Sequence, residues 1–266
     1  MIRTLIMLAF WALSLPPTAL FCFPYTLLKG DAGLLYRVAI WFASAGVKLT
    51  GVRTQSFGRE KLDARKCYIF MANHVSNIDP PLLLPLIPGR TAVMVKKELF
   101  DYPILGRAMR LGSFVPVDRG NRDAGIAAVR EAKRVIDDGV SMTIFPEGKR
   151  SFDGKLLPFK RGPFYLAMEC LLPIVPITIV GTHQAMPKGR FAITPGTVTV
   201  TFHDPIDPKQ FPDRDALMLA VRHSIDAGLP AECQESSQAS SQRITEAKGD
   251  GTSGKSPSVT APAAAP

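Results

Sequence analysis

The first 50 residues hold two apolar stretches. From Thr4 to Leu28 no side chain is charged, and this run of 25 residues is longer than the about 20 residues with which a helix crosses a bilayer core. Pro16, Pro17 and Pro24 lie inside the run, and each proline removes a helical hydrogen-bond donor and clashes with the preceding turn. The pattern therefore predicts a broken or re-entrant segment rather than a straight spanning helix.

The second stretch, residues 34–50, is amphipathic. Its apolar residues recur at helical spacing, and Arg37 and Lys48 are placed to reach lipid headgroups. Residues 1–50 are therefore predicted to form a membrane-anchoring helical hairpin. Two alternatives remain open. A cleaved signal peptide would explain Arg3 ahead of an apolar run, although no small-x-small cleavage site follows, and two ordinary core helices would explain the apolar content.

From residue 51 to 231 the chain alternates short apolar runs with helical patterns. Six runs rich in apolar or β-branched residues are bounded by turn residues and are typical of strands: 67–71, 92–95, 114–117, 142–145, 174–180 and 198–202. Four segments have helical spacing: 81–86, 122–138, 163–171 and 214–227. This alternation predicts an α/β domain with a central mixed sheet flanked by helices. The Thr-Val alternation near 198 predicts a strand toward the sheet edge with one buried face.

Composition distinguishes the C-terminal segment from the rest of the chain. Of 266 residues, 46% are hydrophobic and 21% are charged, which is enough apolar surface for at least one sizeable core. Residues 232–266 turn to Ser, Gln, Thr, Gly, Ala and Pro and lack the large apolar residues that a core needs. We therefore predict three parts: the hairpin at 1–50, a globular domain at 51–231, and a disordered tail at 232–266.

The net charge is positive. The chain has 32 Lys and Arg against 23 Asp and Glu, for a formal charge of +9, and the excess lies mainly in the globular domain. Such a surface suits anionic lipid or a phosphorylated substrate, whereas nucleic acid is disfavoured because no RNA-binding signature, zinc finger or recognition helix accompanies it. Four cysteines stand far apart without a CxxC pair, which predicts no disulfide framework and a reducing compartment.

One polar segment directly follows the predicted strand 67–71. It runs from Asn73 to Pro81 and places His74 five positions before Asp79. On a straight helix these side chains would lie about 140° apart, so pairing them requires a turn or a helix start between them. An aspartate that accepts from Nδ1–H holds the ring in one tautomer and leaves Nε2 free to take a proton from a substrate hydroxyl. The alternative is a helix cap followed by a pre-proline turn.

No nucleophile motif accompanies this histidine. The pattern GxSxG is absent, which favours activation of an acceptor hydroxyl over an enzyme nucleophile. No third ligand stands at a recognisable spacing from His74 and Asp79, so we expect neither a metal site nor a metal hydrolase.

Two further predicted strands end in cations. The turn 145–151 (FPEGKRS) combines two cations, a glycine and a hydroxyl, and in such a turn N–H groups and the guanidinium of Arg150 can bind phosphate. Glu147 is placed to orient Arg150 or a substrate hydroxyl. The segment 112–120 ends with Arg119, a second candidate phosphate contact. Ligands usually bind at the carboxyl ends of strands in α/β sheets, although each segment alone is also typical of a charged surface turn.

Taken in order, the segments NHVSNIDP, SFVPVDR, FPEGKRS and VPIT resemble the glycerolipid acyltransferase family, in particular its bacterial members that acylate 1-acyl-glycerol-3-phosphate. The similarity runs from about Gly51 to Pro205, and the HxxxxD and FPEG segments together are highly specific. One departure concerns the second segment, because Gly112 stands seven residues before Arg119, whereas the family pattern has about six.

The resemblance implies a glycerol-3-phosphate acyltransferase-like fold and the transfer of a fatty acyl group to the free hydroxyl of a lysophospholipid, which makes phosphatidic acid. The implied donor is an acyl thioester on acyl carrier protein or coenzyme A, with no other cofactor. His74 matches the general base and Asp79 its orienting partner. The residues that match acceptor-binding positions are Arg119, Glu147, Gly148, Lys149, Arg150 and Ser151.

A lipid acceptor and a soluble donor meet at a membrane surface, and a basic domain behind an apolar hairpin fits that setting. The resemblance implies the cell inner membrane, with the active site facing the cytoplasm. Two alternatives remain open: another lysolipid acceptor, such as lyso-ornithine lipid, and a non-catalytic membrane protein that binds phospholipid. The pair His74 and Asp79 argues against the second, because binding alone needs no base.

Overall fold

The structure is a computed structural model that describes residues 1–118 and 122–234. The described helices are α1 (Ile2–Lys29), α2 (Gly33–Leu49), α3 (Asp79–Leu83), α4 (Pro103–Leu111), α5 (Arg122–Asp137), α6 (Gly162–Cys170), α7 (Thr182–Ala185) and α8 (Arg214–Ala227). The described strands are β1 (Val52–Phe57), β2 (Ile69–Ala72), β3 (Thr91–Lys96), β4 (Val115–Val117), β5 (Ser141–Ile144), β6 (Ile174–Val180) and β7 (Gly196–Phe202).

The strands form one mixed sheet in the order β1-β7-β6-β2-β5-β3-β4. β2 pairs in parallel with β5 and β6, and β3 pairs in parallel with β4 and β5. β6 and β7 are antiparallel, and β1 is parallel to β7. Helices cover both faces, so the predicted mixed sheet flanked by helices is confirmed.

The core has one apolar layer on each face of the sheet. Along β2 the side chains alternate: Phe70 packs into the layer that includes residues of α1, α2 and α3, whereas Ile69 and Met71 pack into the layer with α5, α6 and α8. All three are fully buried, as expected for a central strand with helices on both sides.

Three elements escaped sequence-based prediction: β1, α4 and α7. β1 (VRTQSF) buries only Val52 of its six residues, so it lacks the apolar pattern of a strand. The alternation in β7 does reflect one buried face, and β7 lies toward the sheet edge as predicted, with β1 alone outside it. A polar edge strand forms here through its pairing partner rather than through its own side chains.

The predicted helical hairpin at the N-terminus is present. α1 and α2 pack through Trp11, whose Nε1 donates to the Phe42 carbonyl at 3.1 Å, and the rings of Phe10 and Phe42 lie 5.7 Å apart. A Cβ at Gly46 would lie 2.1 Å from Trp11 Nε1. Glycine at this position therefore allows the close approach of the two helices.

The expected break in the first apolar run is wrong. α1 continues from Ile2 to Lys29 through Pro16, Pro17 and Pro24. All three prolines are exposed, and so are the residues four positions earlier whose carbonyls lose a helical donor. The unpaired groups thus lie on the outer face of the helix, while the opposite face packs inward with buried Ser14 and Cys22. Packing along that face outweighs the local effect of proline.

α1 is long and apolar enough to cross a membrane, and no other described helix meets that test of length and composition. Its most apolar 18-residue window has a mean hydropathy of 1.8 and is only 17% buried. The same helix places Met7 in the apolar layer that also contains Val47 of α2 and Val52 of β1. The hairpin therefore exposes most of the apolar surface of α1, while part of it packs against the globular domain.

Residues 1–234 form one compact unit. The predicted boundary after residue 50 stays a prediction. At the other end, Cys233 packs against the core layer of α8, and residues 235–266 of the predicted tail lie outside the described residues.

Candidate active site

The site lies at the edge where the parallel strands β2, β5 and β6 end. β2 leads directly into Asn73 and His74, and β5 leads into Phe145 and the turn that contains Glu147. Asn73 links the end of β2 to β6, because its side chain donates to the Ile179 carbonyl at 2.9 Å and accepts from the Ile179 N–H at 2.7 Å. The sheet therefore brings together two segments that are about 70 residues apart in sequence, as expected for the carboxyl edge of an α/β sheet.

His74 and Asp79 are paired. His74 Nδ1 lies 2.8 Å from Asp79 Oδ2, which also accepts from the N–H groups of Val75 at 2.9 Å and Ser76 at 2.8 Å. Asp79 is the first residue of α3 and is fully buried. Pro80 and Pro81 follow Asp79 in the first turn of this helix. Backbone N–H groups in the first turn have no acceptor within the helix, so proline is tolerated at these positions. A helix start thus produces the pairing that a straight helix forbids.

The proton on the His74 ring follows from its partner. An ionised Asp79 only accepts hydrogen bonds, so Nδ1 is the donor and the neutral ring has its lone pair at Nε2. Among the described residues, no group bonds to Nε2, and the side chain is 13% exposed. The ring stacks on Phe145 at a centroid distance of 4.3 Å. Sequence reasoning did not assign Phe145 a part in the site, although it opens the FPEG segment.

Glu147, predicted to orient Arg150 or a substrate hydroxyl, contacts backbone groups in the structure, and its predicted contact with substrate stays a prediction. It is 1% exposed, and its two carboxylate oxygens accept from the backbone N–H groups of His74 at 2.7 Å and Leu157 at 2.8 Å. Burial raises the pKa of Glu147 to about 7, against the lowering effect of these N–H groups and of Arg222. The carboxylate therefore holds the backbone of His74 in place.

Ser151 and Gly148 also shape the turn, and their predicted contact with substrate stays a prediction. The Ser151 N–H donates to the His74 carbonyl at 2.9 Å, and its hydroxyl donates to Asp153 at 2.8 Å. Ser151 is fully buried. Gly148 has a φ of +69° and closes a turn onto the Phe145 carbonyl at 3.0 Å, a conformation that glycine adopts without strain. The turn thus holds the backbone of His74 through both its N–H and its carbonyl.

The remaining residues of the turn contribute positive charge. Lys149 is exposed and Arg150 is half-buried. Lys188, from the loop after α7, donates to the Arg150 carbonyl at 2.8 Å and lies 3.8 Å from the centre of the Phe152 ring. Partial burial and the charges of Arg150 and Lys149 lower the pKa of Lys188. We call Lys149, Arg150 and Lys188 the cation cluster; three adjacent like charges favour an anionic ligand.

Lys188 was missed by sequence reasoning, because it lies 38 residues after Arg150 in a turn without a motif.

The predicted contact Arg119 lies outside the described residues and stays a prediction. Its neighbour Asp118 forms an ion pair with Lys97. Within residues 1–118 and 122–234, no three His, Cys, Asp or Glu side chains are grouped to hold a metal ion.

Comparison with known proteins places this geometry in a family. The model of a family described as Acyltransferase matches residues 53–180, which include His74, Asp79 and the turn 145–151. Residues 53–180 belong to the acyltransferase family. The resemblance seen in the sequence is therefore confirmed.

Relatives of the acyltransferase domain are named consistently. The 1-acyl-sn-glycerol-3-phosphate acyltransferase of Limnanthes douglasii is 37% identical over 190 residues, which cover 69% of this chain and 64% of the relative. The alpha form from Homo sapiens is 31% identical over 180 residues, covering 66% of this chain and 64% of the relative. The chain thus spans slightly less than two thirds of these curated relatives.

A solved structure matches over nearly its whole length. The 1-acyl-sn-glycerophosphate acyltransferase PlsC from Thermotoga maritima is 27% identical and superposes with a TM-score of 0.73, covering 93% of this chain and 95% of that one. The acyltransferase domain and the N-terminal hairpin together therefore share the architecture of that structure.

Proposed function

We propose that this protein is a 1-acyl-sn-glycerol-3-phosphate acyltransferase, which moves a fatty acyl group from an acyl thioester to the free hydroxyl of lysophosphatidic acid. The observation that carries the proposal is the pairing of His74 Nδ1 with Asp79 at 2.8 Å, within a domain of the acyltransferase family. The named relatives support the choice of acceptor. Acyl carrier protein or coenzyme A carries the acyl group of the donor.

In the proposed reaction, His74 Nε2 takes the proton from the acceptor hydroxyl as its oxygen attacks the thioester carbonyl carbon. Asp79 stabilises the imidazolium that forms and keeps the ring oriented. The C–S bond then breaks, and the leaving thiolate takes the proton from His74. The products are an ester and a free thiol, so the acyl thioester is the only co-substrate in the proposal.

The cation cluster is the proposed site for the phosphate of the acceptor. Arg150 offers a planar pair of donors that matches phosphate oxygens, and two lysines add charge. The turn that carries Arg150 also holds the His74 backbone through Ser151 and Glu147. One rigid turn therefore links the position of the phosphate to the position of the base, which suits an acceptor whose phosphate and hydroxyl lie a short fixed distance apart.

The N-terminal hairpin is the proposed membrane anchor, at the inner membrane with the active site toward the cytoplasm. α1 exposes large apolar side chains, among them Leu13 at 77% and Phe21 at 73%, and such a surface is stable against lipid rather than water. Deleting residues 1–50 would also remove Met7 and Val47 from the core. Substitutions on the exposed face are therefore the cleaner test.

The activity test offers purified full-length protein a labelled acyl thioester with lysophosphatidic acid or with lyso-ornithine lipid. We expect product from lysophosphatidic acid, its loss in His74→Ala, and its retention in His223→Ala, a control at an exposed histidine on α8. Product from lyso-ornithine lipid alone would overturn the acceptor assignment. Full activity of His74→Ala would overturn the general base, and no product from either lipid would favour a binding protein.

The membrane test compares Leu13→Glu with Phe57→Glu. Both side chains are more than half exposed, but Phe57 lies at the carboxyl end of β1. We expect the first variant to be released from phosphatidylcholine vesicles and the second to stay bound. Equal binding of both would contradict the anchor.

A further inference from the structure

Two open cavities differ in the charge of their walls. The larger, about 860 Å³, lies beside edge strand β4 and is lined by three cations and four acids. The smaller, about 540 Å³, lies at the junction of α1, α2 and β1 and is lined by Arg3, Lys48 and Arg53; none of its described lining residues is acidic. We call the smaller cavity the hairpin pocket.

The hairpin pocket lies on the same edge of the sheet as the active site. β7 runs antiparallel to β6, and β1 runs parallel to β7. The amino ends of β1 and β7 therefore share an edge with the carboxyl ends of β6 and β2, after which His74 follows. Val52 at the start of β1 and Pro195 just before β7 both line the pocket. None of the predicted site residues lines it.

The pocket is built rather than incidental. Arg3 Nη1 donates to the Thr50 carbonyl at 3.0 Å, which fixes its guanidinium at the rim. Gly51 forms part of the wall with a φ of +88°, and a Cβ there would lie 2.7 Å from Arg3 Nη1. Any other residue would fill the space beside the guanidinium. Thr54 also lines the pocket, and its hydroxyl is buried without a hydrogen-bond partner among the described residues.

This combination has the chemistry of an anion site. Three cations, with no acid among the described lining residues, raise the potential of the cavity. Arginine and lysine donors together are typical of phosphate binding. Next to Arg3, α1 exposes Ile2 and Leu5 at 75% and 58%. A phosphate in the pocket would therefore lie level with the start of the apolar surface that the proposed function places in lipid.

We propose that the hairpin pocket binds a phosphate group that is not the acceptor of the reaction, as carried by the headgroup of an anionic membrane lipid or by a free phosphate. Where the phosphate belongs to a membrane lipid, this proposal rests on the proposed membrane association; where it is free phosphate, it does not. Bound lipid phosphate would hold the hairpin at a defined depth, because Arg3 and Lys48 belong to its two helices and Arg53 to the sheet.

The test uses full-length protein and the variants Arg53→Gln and Arg59→Gln. Arg59 is an exposed arginine just beyond the other end of β1, so the two variants change the net charge equally. Binding is measured to vesicles of phosphatidylcholine alone and of phosphatidylcholine with phosphatidylglycerol. We expect Arg53→Gln to weaken binding to the anionic vesicles about fivefold, with Arg59→Gln unchanged. In detergent, both variants should acylate lysophosphatidic acid at the wild-type rate.

A second arm distinguishes the source of the phosphate. Inorganic phosphate is added without vesicles, and the melting temperature is measured. A rise in wild type that Arg53→Gln lacks, without a difference on vesicles, assigns the pocket to free phosphate. Equal behaviour of Arg53→Gln and Arg59→Gln in both arms would overturn the pocket. Failure of the wild-type protein to bind any vesicle would instead overturn the proposed membrane association, and the phosphate arm alone would then decide the pocket.

Discussion

Replacing Glu147 by glutamine tests whether this residue positions the His74 backbone or contacts the acceptor. Both carboxylate oxygens accept backbone N–H groups, one of them from His74. Glutamine keeps the shape but offers one oxygen, so its NH2 group faces one of the two donors. A buried donor without a partner costs about 1–3 kcal/mol. If the His74 backbone shifts in response, we expect kcat to fall by about 10- to 100-fold.

The stability of the wild-type protein depends on pH through Glu147, and the dependence has a definite sign. Burial raises the pKa of Glu147 from an ordinary 4.5 to about 7. The unfolded chain therefore releases the proton first, and the wild-type protein loses stability as pH rises from about 4.5 through about 7. A shift of this size corresponds to about 3 kcal/mol at full ionisation. Glutamine does not titrate, so Glu147→Gln should gain stability relative to wild type by up to that amount toward pH 8.

The assay combines urea unfolding at acidic and alkaline pH with steady-state kinetics on lysophosphatidic acid, and Glu60→Gln serves as an exposed control. We expect a variant that is relatively more stable at alkaline pH and yet slower, with the KM for the acceptor unchanged. A raised acceptor KM with normal kcat would refute the positioning role, because it would show that Glu147 contacts the acceptor. A stability difference that is independent of pH would refute the buried carboxylate.

Three further predictions test other parts of the structure. Asp79→Asn should lower kcat by about 10³- to 10⁴-fold without unfolding the protein, because an amide no longer holds the Nδ1–H tautomer; a near-normal kcat would contradict the pairing. Lys188→Gln should raise the acceptor KM about tenfold with little effect on kcat, and an unchanged KM would remove it from the cation cluster. Gly46→Ala should lower the melting temperature, because its Cβ would meet Trp11, whereas Gly125→Ala, with open space on α5, should stabilise by about 0.5–1 kcal/mol; stabilisation by both would contradict the helix contact.

Much of the fold was predictable because apolar periodicity reports burial. Six of the seven strands and the long helices α2, α5 and α8 appear where their patterns predict them. β1 was not predictable, since five of its six residues are at least partly exposed and its hydrogen bonds to β7 define it as a strand. The continuity of α1 was also hidden, because sequence shows the prolines but not the face on which they lie.

The sequence by itself determined which chemistry is available: a histidine and an aspartate at a spacing that a helix start can close, and cations in the turn after β5. Tertiary structure decided what each residue does. Glu147 accepts the N–H of His74, Ser151 donates its N–H to the His74 carbonyl, and Lys188 joins Arg150 from a distant loop. The physical reason is that spacing along the chain restricts local pairs, whereas burial and long-range hydrogen bonds depend on the strand order, which no local pattern encodes.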